Sequence, residues 1–124
     1  MKKILIVSLS LLFAGCSLID EIPSFYDDNE SKAVIDVWVD VKRLDCDGNF
    51  LHTEINRLEK STQWLMTYSQ SKGSKDVLEV VTLFNSTVEG IAEKDVVSPT
   101  FCKMKKKSML KQIENISNAI MRRF

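Results

Sequence analysis

The chain has few of the residues on which catalytic and metal sites depend. Its 124 residues include one histidine, four glycines and two prolines. His52 is thus the one imidazole available to a Ser-His-Asp or Cys-His arrangement, and we interpret it as a surface or partly packed residue. The glycines are isolated, which excludes a glycine-rich phosphate loop. We therefore expect one small domain that is not an enzyme, needs no cofactor or metal and takes no small-molecule substrate.

No apolar run is long enough to cross a bilayer, which takes about 20 residues. The longest covers residues 4–13, after a short basic head. Small residues follow it, in the order Leu12-Phe13-Ala14-Gly15-Cys16. This stretch resembles the signal peptide and lipobox of bacterial lipoproteins. The alternative is an ordinary secretory signal, cut after Ala14 or Gly15.

The resemblance to lipoproteins implies how the chain is divided. Residues 1–15 would be the signal peptide and Cys16 would carry the lipid. Residues 16–30 would form a flexible tether, and residues 31–124 the folded domain. Several acyl chains hold a protein stably at a membrane. Because Ser17 rather than aspartate follows the cysteine, the resemblance implies the outer membrane, with the domain facing the periplasm.

Charge is unevenly spread although the 17 basic and 17 acidic residues cancel. Residues 17–97 hold 8 basic against 16 acidic side chains, whereas residues 98–124 hold 7 against one. The last helix could pack on the others through complementary fields, or its lysines could face anionic lipid or a partner. These lysines are Lys103, Lys105, Lys106, Lys107 and Lys111. We name Lys103 and Lys106 as partner-binding candidates; nucleic acid is excluded by the compartment and the acidic body.

Two cysteines remain after Cys16, and an even pair in an oxidising compartment predicts a disulfide. Cys46 and Cys102 would close a loop of about 56 residues, a constraint of roughly 4 kcal/mol in the chain-entropy model. A staple of this size would supply a large share of the stability of so small a domain.

Residues 31–46 carry a pattern that fits two structures. Ile35, Val37, Val39 and Val41 alternate with polar residues as in a strand. The same stretch places Val34, Val37, Trp38, Val41 and Leu44 on one helical face. No second strand candidate exists for pairing, so we predict a helix that ends in a turn around Gly48.

Helical periodicity is clearer in the rest of the chain. We predict a second helix over residues 50–70, a third over 75–92, and a fourth that begins at Ser98-Pro99. Gly73 is predicted to end the second helix and Ser74 to cap the third. Their inward residues are Leu51, Ile55, Leu58, Thr62 and Leu65, then Val77, Val81, Phe84, Val88 and Ile91, then Phe101, Met109, Ile113, Ile116 and Ile120.

Short connections make neighbouring helices antiparallel. The second and fourth helices then begin at the same end, where Cys46 and Cys102 also fall. We therefore predict an all-α protein, a small four-helix up-down bundle stapled by one disulfide. Four large aromatic rings are core residues or partner-binding candidates in a groove that takes a helix. They are Trp38, Trp64, Tyr68 and Phe84.

The layout resembles that of the helical pilotins of type II secretion systems. In that family the first cysteine closes the first helix and the second opens the last one. Residues 38–46 and 98–102 occupy those places here, and only Cys46 and Cys102 are carried over. The resemblance implies that the protein binds the disordered tail of a secretin subunit, which folds into a helix, and sorts the secretin to the outer membrane.

A second class of protein fits the same features. Immunity, entry-exclusion and inhibitor lipoproteins are also small, helical and disulfide-stapled, and they block a toxin, a conjugation component or a phage component. In such a protein the basic last helix would match an acidic surface of the partner.

Overall fold

The computed structural model describes residues 27–122, which form four helices and no strand. Each helix packs against two others in a closed ring, α1 on α2, α2 on α3, α3 on α4 and α4 on α1. The helices are α1 (Asp28–Arg43), α2 (Leu51–Lys72), α3 (Lys75–Ala92) and α4 (Pro99–Met121). The predicted four-helix bundle is confirmed. The predicted signal peptide and Cys16 lie outside the described residues.

The ambiguous segment is a helix, and it begins earlier than predicted. Val34, Val37 and Val41 are buried at helical spacing, whereas Ile35 and Val39 are exposed. The Asp27 carboxylate caps α1 by accepting the backbone N–H groups of Asn29 and Glu30. The boundary placed at residue 30 is therefore wrong by three residues, because α1 starts at Asp28.

The other helix ends follow the predicted chemistry in two of three places. Gly73 ends α2 with a φ of 78°, a left-handed conformation that glycine adopts without a Cβ penalty. The Ser98 hydroxyl caps α4 by accepting the N–H of Phe101 at 3.2 Å, and Pro99 follows it. Ser74 precedes α3 as predicted, but its buried side chain makes no capping hydrogen bond.

The core is a column of apolar side chains contributed by all four helices. Every predicted inward residue of the second and third helices is buried, and of the fourth only Phe101 is half-buried. The largest side chains with almost no exposure include Leu58, Leu65, Phe84, Met109, Ile113 and Ile116. Burying side chains of this size contributes about 1.5–3 kcal/mol each, so the column is the main source of stability.

The predicted disulfide joins Cys46, just after α1, to Cys102, in the first turn of α4. The two Cα atoms are 5.5 Å apart and both side chains are buried. We call this the disulfide end of the bundle. The opposite end, where α1 begins and α4 finishes, is called the Asp27 end.

We expect Cys46→Ser to lower the melting temperature as much as the double cysteine variant does. Either variant removes the same closed loop, at a cost of roughly 4 kcal/mol. Thermal unfolding followed by circular dichroism would measure the change, with the reduced wild-type chain as control. If the decreases in melting temperature of Cys46→Ser and Cys102→Ser instead added up in the double variant, the cysteines would not stabilise the bundle as a pair.

Candidate functional site

An apolar cleft runs between α1 and α4 at the Asp27 end. It holds about 150 Å³ of open space. Three apolar side chains form its open rim: Ile35 is 57% exposed, Met121 is 60% exposed, and Trp38 is half-buried. The remaining lining residues are Ser31, Val34, Ser117 and Ile120. Exposed apolar side chains grouped around a cleft mark an interaction site more often than scattered ones do.

Helix geometry explains why these side chains meet. Ile35 follows Ser31 by four residues and Trp38 follows Ile35 by three, so all three lie on one side of α1. Ser117 and Met121 are four apart on α4. Because the helices are antiparallel, the start of α1 lies beside the finish of α4. The cleft is thus made by the first and last helices of the bundle.

Lysines occupy the other half of the α1–α4 face, towards the disulfide end. The Lys106 ammonium donates to the carbonyl oxygens of Lys42 at 3.0 Å and Leu44 at 2.8 Å. It thereby satisfies carbonyls that the end of α1 leaves without intrahelical partners, and its charge suits the negative end of the helix dipole. The Lys42 ammonium lies 5.0 Å from the centre of the Trp38 ring. The apolar and the cationic parts of this face therefore adjoin at Trp38.

Of the other lysines of α4, two contact neighbouring side chains and two are exposed without such a contact within residues 27–122. Lys103 pairs with Asp47 at 3.1 Å, and Lys105 lies 5.5 Å from the centre of the Phe101 ring. Lys107 and Lys111 are exposed. Of the two explanations for the basic last helix, complementary packing on the rest of the bundle accounts for Lys106, whereas Lys103 forms an exposed ion pair and Lys105 contacts a ring of its own helix. Lys107 and Lys111 stand in solvent, where a partner could reach them.

The four aromatic candidates do not form one surface. Trp64 and Tyr68 stack with ring centres 5.1 Å apart on α2, and Trp64 lies in a hollow beside the α1 residues Ala33 and Asp36. They therefore lie on the α1–α2 face, away from Trp38. Phe84 is fully buried in α3, so its candidacy as a partner-binding residue is corrected: it is core.

A polar cluster fixes the start of α1 at the Asp27 end. Besides capping α1, the Asp27 carboxylate accepts the Tyr68 hydroxyl at 3.0 Å, and the Lys72 ammonium lies 3.8 Å away. Lys72 also pairs at 3.5 Å with Glu30, whose side chain is fully buried. The N–H of Glu30 is the main reason why the pKa of Asp27 lies below its ordinary value of 3.8, a shift that desolvation opposes and Tyr68 assists.

The tether predicted from the sequence includes Asp27 and Glu30, which instead belong to this cluster at the start of α1. The signal was present in the sequence: an Asp followed three residues later by Glu, before an apolar helical pattern, is typical of a capped helix start. The cluster holds α1 against α2. It therefore helps to fix the position of Ile35 and Trp38, which α1 carries into the cleft.

Other kinds of site find little support in the described chain. His52 is exposed in the first turn of α2, beside the disulfide end. Nowhere in residues 27–122 do three or more His, Cys, Asp or Glu side chains gather as a metal site would require. Among the four described helices, none combines the length and apolar character needed to cross a membrane.

Comparison with known proteins adds no further assignment. The chain matches no family model, no curated protein and no solved structure. The α1–α4 face is therefore the feature on which a functional proposal rests.

We expect Asp27→Ala to lower the free energy of unfolding by about 1–2 kcal/mol at neutral pH, since it removes the helix cap. Asp27→Asn keeps a capping oxygen and should lose less. Because the pKa of Asp27 is lowered by folding, its stabilisation is complete above pH 3.8 and is lost as the pH falls through the folded-state pKa.

Urea unfolding of wild type, Asp27→Ala and Asp27→Asn between pH 2 and pH 7 would measure both effects. Asp27→Asn should show a flatter loss of stability in acid than wild type. The same acid dependence in all three proteins would contradict the role given to this carboxylate.

Proposed function

We propose that the protein is a lipid-anchored envelope protein that acts by binding, and that it captures a helical segment of a protein partner along the α1–α4 cleft. The observation that carries this proposal is the open apolar rim formed by Ile35, Trp38 and Met121. An amphipathic helix recognised in a groove buries anchors three and four residues apart against such a rim. Burying these large exposed apolar side chains against a partner removes them from water, which is favourable.

The length of the cleft suits about two turns of a bound helix. Its α1 lining runs from Ser31 to Trp38, which corresponds to a length of about 10 Å. A third helix laid over two antiparallel ones contacts both along this length. The serines Ser31 and Ser117 are small, and they leave room between the larger rim residues.

We propose a secretin subunit as the partner, in the manner of a pilotin that binds the secretin tail and sorts it to the outer membrane. Two features support this proposal. Cys46 follows the first helix and Cys102 opens the last one, the layout of the family that the sequence resembles. The cleft between the same two helices offers a place where an unfolded tail could become helical.

Binding of the isolated secretin tail tests this proposal directly. We expect the helical signal in circular dichroism to rise on mixing beyond the sum of the two components. Ile35→Asp should weaken binding at least about tenfold, since it puts a charge on the rim where apolar anchors are buried.

Leu83→Asp is the matched control, because Leu83 is 63% exposed on α3 against 57% for Ile35 on α1. It makes the same kind of change away from the cleft and should leave the affinity unchanged. Tail peptide that stays unfolded in the presence of the wild-type protein would remove the secretin proposal.

Anchoring through Cys16 is part of the same proposal and is supported by the lipobox-like stretch before it. We expect labelled palmitate to be incorporated into the wild-type chain and not into Cys16→Ser. The wild-type chain should fractionate with outer membranes and the variant with soluble periplasmic protein. Equal labelling of both, or wild-type chain in the soluble fraction, would contradict the anchor.

The lysines of α4 favour a second candidate, an immunity, entry-exclusion or inhibitor lipoprotein with an acidic partner. Exposed Lys107 and Lys111 would raise the rate of encounter with such a surface at low salt. Isolation of the lipidated protein with its partners from native envelopes distinguishes the two proposed functions. A secretin supports the first proposal, whereas a toxin, transfer or phage component supports the second.

A further inference from the structure

The α1–α4 face carries an apolar half and a cationic half, and we infer that it binds a segment of matching polarity. Apolar anchors of the partner lie over the Asp27 end and acidic residues over the disulfide end. The inference rests on the proposed function, since it concerns the same cleft, and it adds the chemistry and direction of the bound segment.

On α1, the side that faces α4 is apolar near the Asp27 end and basic near the disulfide end. Ser31, Ile35 and Trp38 line the apolar cleft, and Lys42 is the next residue at the same helical spacing. The Lys42 ammonium over the Trp38 ring marks the point where the apolar half ends. A partner segment that continues beyond Trp38 therefore meets a positive charge.

On α4, a row of residues at four-three spacing runs from the disulfide end to the cleft residues Ser117 and Met121. The residues of this row are Lys103, Lys107, Leu110, Glu114, Ser117 and Met121. Ser117 and Met121 line the cleft with α1, and the neighbouring Lys106 reaches the Lys42 carbonyl at 3.0 Å. Both ends of this row are thus placed beside α1, with lysines at the disulfide end and Met121 at the Asp27 end.

Carboxylates near the cationic half compensate only part of its charge. Asp47 pairs with Lys103, and Glu114 lies farther along α4 towards the apolar half. Lys106 is occupied by the carbonyls at the end of α1. Neither Lys42 nor Lys107 forms an ion pair with a carboxylate of the described residues. These two ammonium groups are therefore the ones that an acidic segment would meet.

The position of the lysines favours a protein segment over a lipid surface. The chain continues towards the proposed anchor from Asp27, and Lys42 lies near the other end of α1. That helix spans about 24 Å, whereas the potential of an anionic leaflet falls off over about 8 Å at physiological salt. The lysines therefore lie at the end of α1 that is farther from the proposed anchor along the chain, and the apolar cleft beside them suits an amphipathic protein segment.

Two designed helical peptides of about 18 residues test the charge preference. Both carry leucines at three-four spacing. At the polar positions of one half, the first peptide carries glutamates and the second carries glutamines. We expect the mature chain with Cys16→Ser to bind the glutamate peptide about tenfold more tightly at low salt. The preference should shrink as salt rises, since the charges on this face are exposed.

Lys107→Glu should abolish the preference for the glutamate peptide while it leaves the affinity for the glutamine peptide unchanged. Lys60→Glu is the matched control, with the same charge change at an exposed position of α2 that is outside this face. It should alter neither affinity. Fluorescence anisotropy of labelled peptides gives all of these values.

A nitroxide at the acidic end of the glutamate peptide tests the direction. We expect it to broaden the NMR signals of Lys42 and Lys107 and to spare Met121. Broadening at Met121 instead would overturn the inferred polarity.

The outcomes separate this inference from the proposed function. Equal binding of both peptides, sensitive to Ile35→Asp but not to Lys107→Glu, would overturn the charge inference and leave capture in the cleft standing. Binding of neither peptide or of the secretin tail would count against the proposed function itself. Binding of phosphatidylglycerol vesicles that depends on Lys107, without any peptide preference, would overturn the inference in favour of lipid.

Discussion

The contact between the first and last helices of the bundle is the constraint on which the α1–α4 cleft depends. Loops join α1 to α2, α2 to α3 and α3 to α4, but no loop joins α1 to α4. The Cys46–Cys102 bond supplies the missing covalent connection at one end. Lys106 reinforces it by donating to the carbonyls that finish α1. These two interactions add to the apolar packing of the core, which holds α1 and α4 side by side along the cleft.

At the Asp27 end, polar contacts hold α1 against α2. Asp27 caps α1 and binds Tyr68, while Glu30 and Lys72 pair across α1 and α2. α1 is thus fixed to α4 near its C-terminus and to α2 near its N-terminus. Ile35 and Trp38 lie between these two points, on a helix whose position is determined at both ends. A groove with such support is preorganised, which lowers the entropic cost of binding.

Periodicity predicted the interior of this protein well and its functional face poorly. Val77, Val81, Phe84 and Val88 share one helical phase, so their common burial follows from spacing alone. The same spacing placed Phe84 in the core, and its second role as a surface candidate was wrong. Periodicity separates inside from outside, but it does not say which neighbouring helix an outward residue stands beside. For that reason Trp38 and Trp64 looked equivalent in sequence although they lie on different faces.

The cleft joins residues that are far apart along the chain. Ser31 and Met121 line it together, and the cysteines that hold its walls are 56 residues apart. Contacts of such long range form slowly, because closing a long loop costs conformational entropy before the contact is gained. During synthesis, α1 is made before α4. The α1–α4 cleft is therefore complete only in the folded, oxidised molecule, because a nascent chain would expose Ile35 and Trp38 before α4 packs beside them.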